Sequence, residues 1–457
     1  MEQKRIQKAE NLAGVRNAFE PEPLDGEDLN EFYCDCTMES RVGNKRVSPL
    51  EDLFELCSRP SAQNAHLLLG HRGCGKSTEL NKLKIRFQGE GQPVAVIDCQ
   101  KEMDVFRGNH WDLMLLITDG LCRIARENNI KLPEATEKAI YDFLLKEQII
   151  ESEQERAADL GTDFNLSAGL PVIGGIFGAI ARVTGSMKYN EYTRTKVTET
   201  MQKRVSEWVA YTNVIADCIK SGSDMKEPVL IFEALDKFGM ASEPGKIFEI
   251  FRYSPLASMS FPIIYTFPIS QLYSTQFADL GGLYNHHTLP MIKVINKDGS
   301  RYQAGIESIR KIVALRIADG FNLFSDEKDE NGDDVLTVLI IKTGGLLRHL
   351  FECIATAATL SKRGDKTQIE MEDAELALRK IKDDLTRRLH GDDYRKLTEI
   401  YNNEKLREER NDKPFMLQML QAITIVEYSN GKHWHDVHPL VAEFLADLGM
   451  VTLRVKK

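Results

Sequence analysis

The residues with the plainest chemistry are Gly70-His71-Arg72-Gly73-Cys74-Gly75-Lys76-Ser77, followed by Thr78. Glycines on either side of a short gap, then a lysine and a hydroxyl, let consecutive backbone N–H groups curl into a nest for phosphate oxygens, with the positive end of a helix behind them. In such a phosphate loop Lys76 reaches the β- and γ-phosphates and Ser77 holds the accompanying Mg²⁺. The expected ligand is ATP with Mg²⁺, held by residues 70–78. Both flanks agree with this: 66–69 is a short apolar run that reads as a buried strand, and 77–87 has helical spacing.

A phosphate-bound Mg²⁺ needs a further carboxylate, expected at the end of a buried strand beside the strand that feeds the loop. The run 229–232, Val-Leu-Ile-Phe, ends in Glu233, which is the first candidate. Asp236, in Leu235-Asp236-Lys237, is a second. Thr266 closes the apolar run 261–266, and Arg348 follows the turn Thr343-Gly344-Gly345-Leu346-Leu347 in position to touch phosphates from a neighbouring unit. Lys76, Glu233, Asp236 and Thr266 are therefore the expected reacting groups.

These groups must be positioned by a sheet. Strand candidates at 66–69, 94–98, 229–232, 261–266 and 289–295, separated by helical stretches, predict an α/β fold with a parallel sheet. Residues 110–150 and 186–222 read as helices that, with a glycine-rich apolar stretch at 166–181, make an insertion at about 105–225. The expected organisation is a lead-in over 1–60, a nucleotide-binding core over 61–300, a helical lid over 301–390 and a tail over 391–457. With 457 residues the chain is too long for one growing hydrophobic core. The tail reads helix, helix, strand, a tight Asn430-Gly431 turn and strand.

With these motifs placed, the chain resembles the AAA+/STAND branch of P-loop ATPases over roughly residues 60–390. The resemblance implies a parallel sheet between helices, a helical lid and a winged helix at the C-terminus, with 417–428 as its main helix and Trp434 anchoring the wing. It implies an ATP-controlled switch that governs self-assembly or a separately encoded effector, as in bacterial defence against phage. It also implies a water-orienting acid directly after Glu233, where this chain has Ala234, and an arginine finger between the fourth and fifth strands, where 270–290 has no arginine. Arg252 is the nearest substitute. In the branch, a residue such as Thr266 senses the γ-phosphate. The alternative implied function is a DNA-loading ATPase of the origin-recognition or transposition-targeting kind.

Bulk properties narrow the partners. A formal net charge of -10 supplies no field that would draw the whole molecule onto nucleic acid or an anionic membrane. In the tail ten Lys and Arg are balanced by Asp and Glu, so DNA is not favoured there. Eight cysteines with no C-x-x-C pair, and an N-terminus without an apolar leader, read as a reduced, cytoplasmic protein. The stretch 166–181 is too short and too rich in glycine to span a bilayer and reads as a buried hairpin. His433-x-His435-x-x-His438 reads as structural, and the acidic loop 325–334 fails as a calcium loop because its twelfth position is Val338. Tyr33 and Arg41 are placed beside the adenine.

Overall fold

Every residue of β1 (Ala65–Gly70) is buried, because parallel strands lie on both sides of it. Parallel neighbours must be joined by crossovers that put helices on both faces, so such strands are apolar throughout instead of alternating. The computed structural model describes residues 6–36, 41, 48–59, 63–104, 107–146, 180, 183–185, 191–222, 225–237, 245–406, 413–429 and 432–454.

The sheet also contains β2 (Val94–Asp98), β3 (Val229–Glu233), β4 (Ile263–Pro268) and β5 (Asn285–Thr288), all parallel, in the order β2-β3-β4-β1-β5. The fold is therefore α/β with a parallel P-loop core. The order corrects two expectations. The strand that ends in Glu233 is not beside the loop strand, because β4 lies between them. Thr266 is inside β4, which continues to Pro268, and does not end it.

The fifth strand falls at 285–288, not 289–295. Pro290 has no N–H to continue the ladder, and the apolar residues after it serve packing. Met291 enters the core under the phosphate loop, while Ile292 and Val294 enter the core of the lid.

Alternate strand residues face opposite sides of a sheet. Leu67, Leu69, Leu230 and Phe232 accordingly pack against helix His110–Glu127, whereas Leu68, Ile231 and Ile264 pack against helix Lys76–Gly89. Asn109 caps His110–Glu127 in a reciprocal box with Asp112, which fixes where the insertion begins. The single helix expected over 186–222 is two, Glu191–Lys203 and Val205–Ser221, separated at Arg204. The apolar stretch 166–181 lies outside the described residues except for Ile180, which is buried. Among the described residues no helix is long and apolar enough to cross a membrane.

Behind the sheet, helices Gln303–Ala314, Val335–Lys342, Leu347–Arg363 and Met371–Thr386 enclose a second core, and the lead-in residues Ala9, Val15 and Phe19 are part of it. The ring of Phe19 meets Phe351 edge-on at 5.5 Å. Gly344 and Gly345, before the third of these helices, have φ of 64° and 79°. A Cβ on Gly345 would lie 2.0 Å from the Ile292 carbonyl oxygen. Gly345→Ala is expected to cost about 2–4 kcal/mol, from a left-handed side-chain residue and from overpacking, read as a lower urea midpoint at unchanged m.

The tail contains helices Gly391–Asn402 and Lys413–Gln421, the antiparallel hairpin β6 (Ile425–Ser429) and β7 (His433–Val437), and a further helix, Pro439–Asp447. The expected main helix over 417–428 stops at Gln421. Ile423 takes a φ of 60°, after which the β-branched and aromatic run 425–428 pairs with β7, setting Tyr428 opposite Trp434. The Asn430-Gly431 turn lies outside the described residues.

Candidate nucleotide site

Gly73 and Gly75 adopt φ of 81° and 99°, the left-handed backbone that turns successive N–H groups inward. Gly75 is also the N-cap of Lys76–Gly89, so the loop opens directly onto a helix N-terminus. Gly73 carries a second constraint: a Cβ there would lie 2.5 Å from the Cβ of Arg348, whose backbone N–H donates to Gly73 O at 3.3 Å. The lid is thus seated on the loop. Arg348 lines the same cavity, with no hydrogen-bond partner for Nε among the described residues.

Lys76 is 6 % exposed, and its ammonium donates to Gly70 O at 2.8 Å and His71 O at 2.9 Å and pairs with Asp236 Oδ2 at 2.9 Å. Burial alone would lower the lysine pKa, but Asp236 outweighs it and the net shift is upward. Burial likewise opposes ionisation of Asp236, and Lys76 overturns it, leaving that carboxyl below its usual range. Both groups are charged.

The cavity beside this pair, about 190 Å³, is lined by Arg72, Gly73, Gly75, Ser77, Thr78, Ala234, Asp236 and Thr266. Glu233 is not among its lining residues. It ends β3 beside Asp98, its register partner on β2. Burial first, then the charges of Asp98 and Asp236, push its pKa up to about 7, and Oε1 has no partner among the described residues. The site thus brings together Lys76, Asp236, Thr266, Arg348 and the loop, and sets Glu233 to one side.

Thr266 Oγ1 donates to Phe232 O at 3.2 Å and accepts from the Leu235 N–H at 3.0 Å. Those two bonds lock the turn that delivers Asp236 to Lys76. Between them stands Ala234, a non-glycine residue with φ of 63°.

A hard divalent cation fits this chemistry. Ser77 and the acids at and after the end of β3 are oxygen donors, and a largely desolvated Glu233 carboxyl with an unpartnered Oε1 beside other acids is the environment that added positive charge relieves. Among the described residues no group of three or more His, Cys, Asp or Glu converges to hold a metal, so phosphate oxygens would complete the coordination of Mg²⁺.

Glu233 has a pH consequence. Its folded pKa, about 7, lies above the ordinary 4.5. Its contribution to stability is therefore fully present below pH 4.5 and is lost as pH rises through 7. Between about pH 5 and pH 8 wild type is expected to lose roughly 1–3 kcal/mol relative to Glu233→Gln, the lower end allowing for partial solvent screening. Urea midpoints of the two proteins at the two pH values check this.

Other residues close the site. Arg41, 2 % exposed, donates to Pro290 O at 2.6 Å and Cys74 O at 2.9 Å, and Tyr33 Oη donates to Glu79 at 2.9 Å. Both line the cavity, and the lead-in is stitched to Lys76–Gly89 by Leu24 N–H to Thr78 Oγ1 at 3.1 Å. Arg316 was not legible as a site residue, since it follows an ordinary amphipathic helix. It is 3 % exposed, lines the cavity beside Phe351, and has its pKa lowered by burial to about 10. Arg252 is held at the surface by Asp279.

His71 connects the loop to the tail. Its Nε2 accepts from the Glu427 N–H of β6 at 2.8 Å. Burial drives its pKa down to about 4 against the pull of Glu427, so the ring is neutral with its proton on Nδ1. Glu427 in turn accepts from Tyr273 Oη at 2.8 Å and pairs with His433 at 3.2 Å. His438 caps Pro439–Asp447.

No protein-family model matches the sequence, and no curated protein matches it. Solved structures that align with it include the Aeropyrum pernix ORC2 protein, at 10% identity over 95% of this chain and 96% of that one, with a TM-score of 0.43. A Walker-type ATPase of Pyrococcus abyssi aligns at 15% identity over 94% and 99%, with a TM-score of 0.40. The Aeropyrum pernix ORC1 protein, solved in complex with DNA, aligns at 12% identity over 88% and 91%, with a TM-score of 0.35. The chain's own sheet order and phosphate loop make it an α/β P-loop protein.

Proposed function

We propose that the chain binds ATP with Mg²⁺ at residues 70–78 and acts as a nucleotide-controlled regulatory switch. The observation that carries this reading is the bond from β6 to His71, because it ties the tail directly to the phosphate loop. The lid reaches the loop through Arg348. In this reading the phosphates replace Asp236 as the partner of Lys76, and Ser77 with Glu233 or Asp236 holds Mg²⁺, which neutralises charge on the β- and γ-phosphates. Arg316 and Arg348 supply further positive charge from the lid side. Nucleotide then shifts the protein between two seatings of lid and tail by binding one more tightly.

The seating controls self-assembly or engagement of a separate effector, and the resemblance to the STAND branch adds bacterial antiviral defence as the setting. The test is limited proteolysis and sedimentation of the purified protein with ATP, with ADP and without nucleotide. Identical fragments and identical size distributions in all three would end the switch reading.

A second reading, ATP-dependent DNA loading, is favoured by the tail's order of two helices followed by a hairpin, which is that of a winged helix. It requires β6 and β7, buried at every described position except His433, to leave the phosphate loop before touching a duplex. It predicts ATP-stimulated retention of duplex DNA on filters that falls steeply with salt. No retention at low salt would remove it.

A further inference from the structure

The cavity at the phosphate loop has two kinds of wall. Arg72, Lys76 and Ser77 supply the phosphate side, whereas Leu24, Phe32, Ile292, Ile312 and Phe351 present apolar surface to the same space. Glu79 lines it as well. A carboxylate there would repel the phosphate oxygens that Lys76 attracts, so it needs a different part of the ligand. It lies three residues beyond Lys76 on helix Lys76–Gly89, about 4.5 Å further along the axis from the N-terminus that faces the phosphates.

Two residues of the lead-in hold Glu79, which is 5% exposed. Tyr33 Oη donates to its Oε2 at 2.9 Å, and Arg41 Nη2 stands 3.8 Å from its Oε1. Arg41 is already committed to the carbonyls of Pro290 and Cys74. Oε1 accepts no hydrogen bond among the described residues, yet it is not sealed inside the protein as Nε of Arg41 and Oε1 of Glu233 are. On a side chain otherwise buried, its open side is the cavity. Burial raises the pKa of this carboxyl against the pull of Arg41 and Tyr33. A further N–H donor at Oε1 would favour the ionised form and satisfy the remaining oxygen.

We infer that Glu79 determines base specificity, its Oε1 accepting from the exocyclic 6-amino group of adenine. The inference rests on the reading that ATP binds at residues 70–78. Phosphate oxygens bring only acceptors, so the donors left on the nucleotide are the base amine and the ribose hydroxyls. The apolar wall decides between them: Phe32 and Phe351 suit a flat heterocycle better than a hydroxylated sugar. With Oε2 occupied by Tyr33, one acceptor remains for one amine N–H.

The test is calorimetric titration of the full chain, with Mg²⁺, by ATP, by purine riboside 5′-triphosphate, which lacks only the 6-amino group, and by 2′-deoxy- and 3′-deoxy-ATP. Wild type is expected to bind ATP at least about tenfold more tightly than the analogue without the amine. In Glu79→Leu that ratio should fall to about one, whereas Glu79→Gln, which keeps an acceptor, should retain a preference for ATP. The readout is a ratio within each protein, so a general loss of affinity does not mimic it, and thermal melts confirm that the variants fold. Equal affinity of wild type for ATP and the analogue overturns the inference, as does an undiminished ratio in Glu79→Leu. A Glu79→Leu protein that instead loses its preference for ATP over a deoxy analogue assigns the carboxylate to the ribose and overturns it too. If none of the four ligands binds wild type, the nucleotide reading itself falls; if all bind alike, only the role of Glu79 does.

Discussion

Lys76→Ala is expected to weaken ATP binding by at least about 100-fold and to lower the unfolding free energy by about 3–5 kcal/mol. The first effect follows from losing the cation that meets the phosphates. The second follows from Asp236, which is 6 % exposed and would be left as a buried charge without its partner at 2.9 Å. Breaking one half of such a pair costs far more than removing both halves, because the desolvated survivor keeps its penalty. The double variant Lys76→Met with Asp236→Leu should therefore regain stability to within about 1 kcal/mol of wild type while ATP binding stays lost. Denaturant melts and equilibrium binding of a fluorescent ATP analogue separate the two effects. A double variant as unstable as Lys76→Ala would show that the unpaired carboxylate is not the cause.

Ala234→Asp is expected to raise ATP turnover by about 10²-fold over a slow wild type, the scale of a positioned base or water-orienting carboxylate. Ala234 lines the cavity beside Lys76. The φ of 63° at this position decides which substitution to make. Asp and Asn tolerate left-handed backbone better than Glu does, so Asp introduces the carboxylate with less strain. Ala234→Asn is the matched control, and it should stay at the wild-type rate. A wild type that already turns over as fast as Ala234→Asp would mean that another group orients the water.

The two predictions also separate what kinds of information the sequence holds. The phosphate loop was legible because its chemistry is local: glycines at fixed spacing, a lysine and a hydroxyl specify a backbone path within a few residues, and the flanking strand and helix follow from apolar spacing. The strands β1, β3 and β4 were legible for a similar reason, since a parallel strand buried on both faces must be an unbroken apolar run, and β2, half-buried at the sheet edge, still carries the apolar run 94–97. β5 was misplaced because the edge strand itself, Asn285-His286-His287-Thr288, is polar, whereas 289–295 is an apolar run, and burial against the lid cannot be told from burial in a ladder by composition. The hairpin around Asn430-Gly431 was read from the sequence, but the main helix was carried too far, to 428, because strand formation over 425–428 depends on a partner, β7, that propensity does not see.

The sequence by itself determined that a phosphate-binding loop stands between a buried strand and a helix in an α/β chain. Only the tertiary structure decided that β4 separates Glu233 from the loop strand, that Asp236 and not Glu233 reaches Lys76, and that Thr266 locks the turn between them. It also brought Arg41, Arg348 and the β6 backbone to the same loop, and Arg316 to the cavity beside it. Each of these contacts joins residues distant in the chain, and the strand order that sets them is chosen by packing of the whole core, which no local spacing encodes.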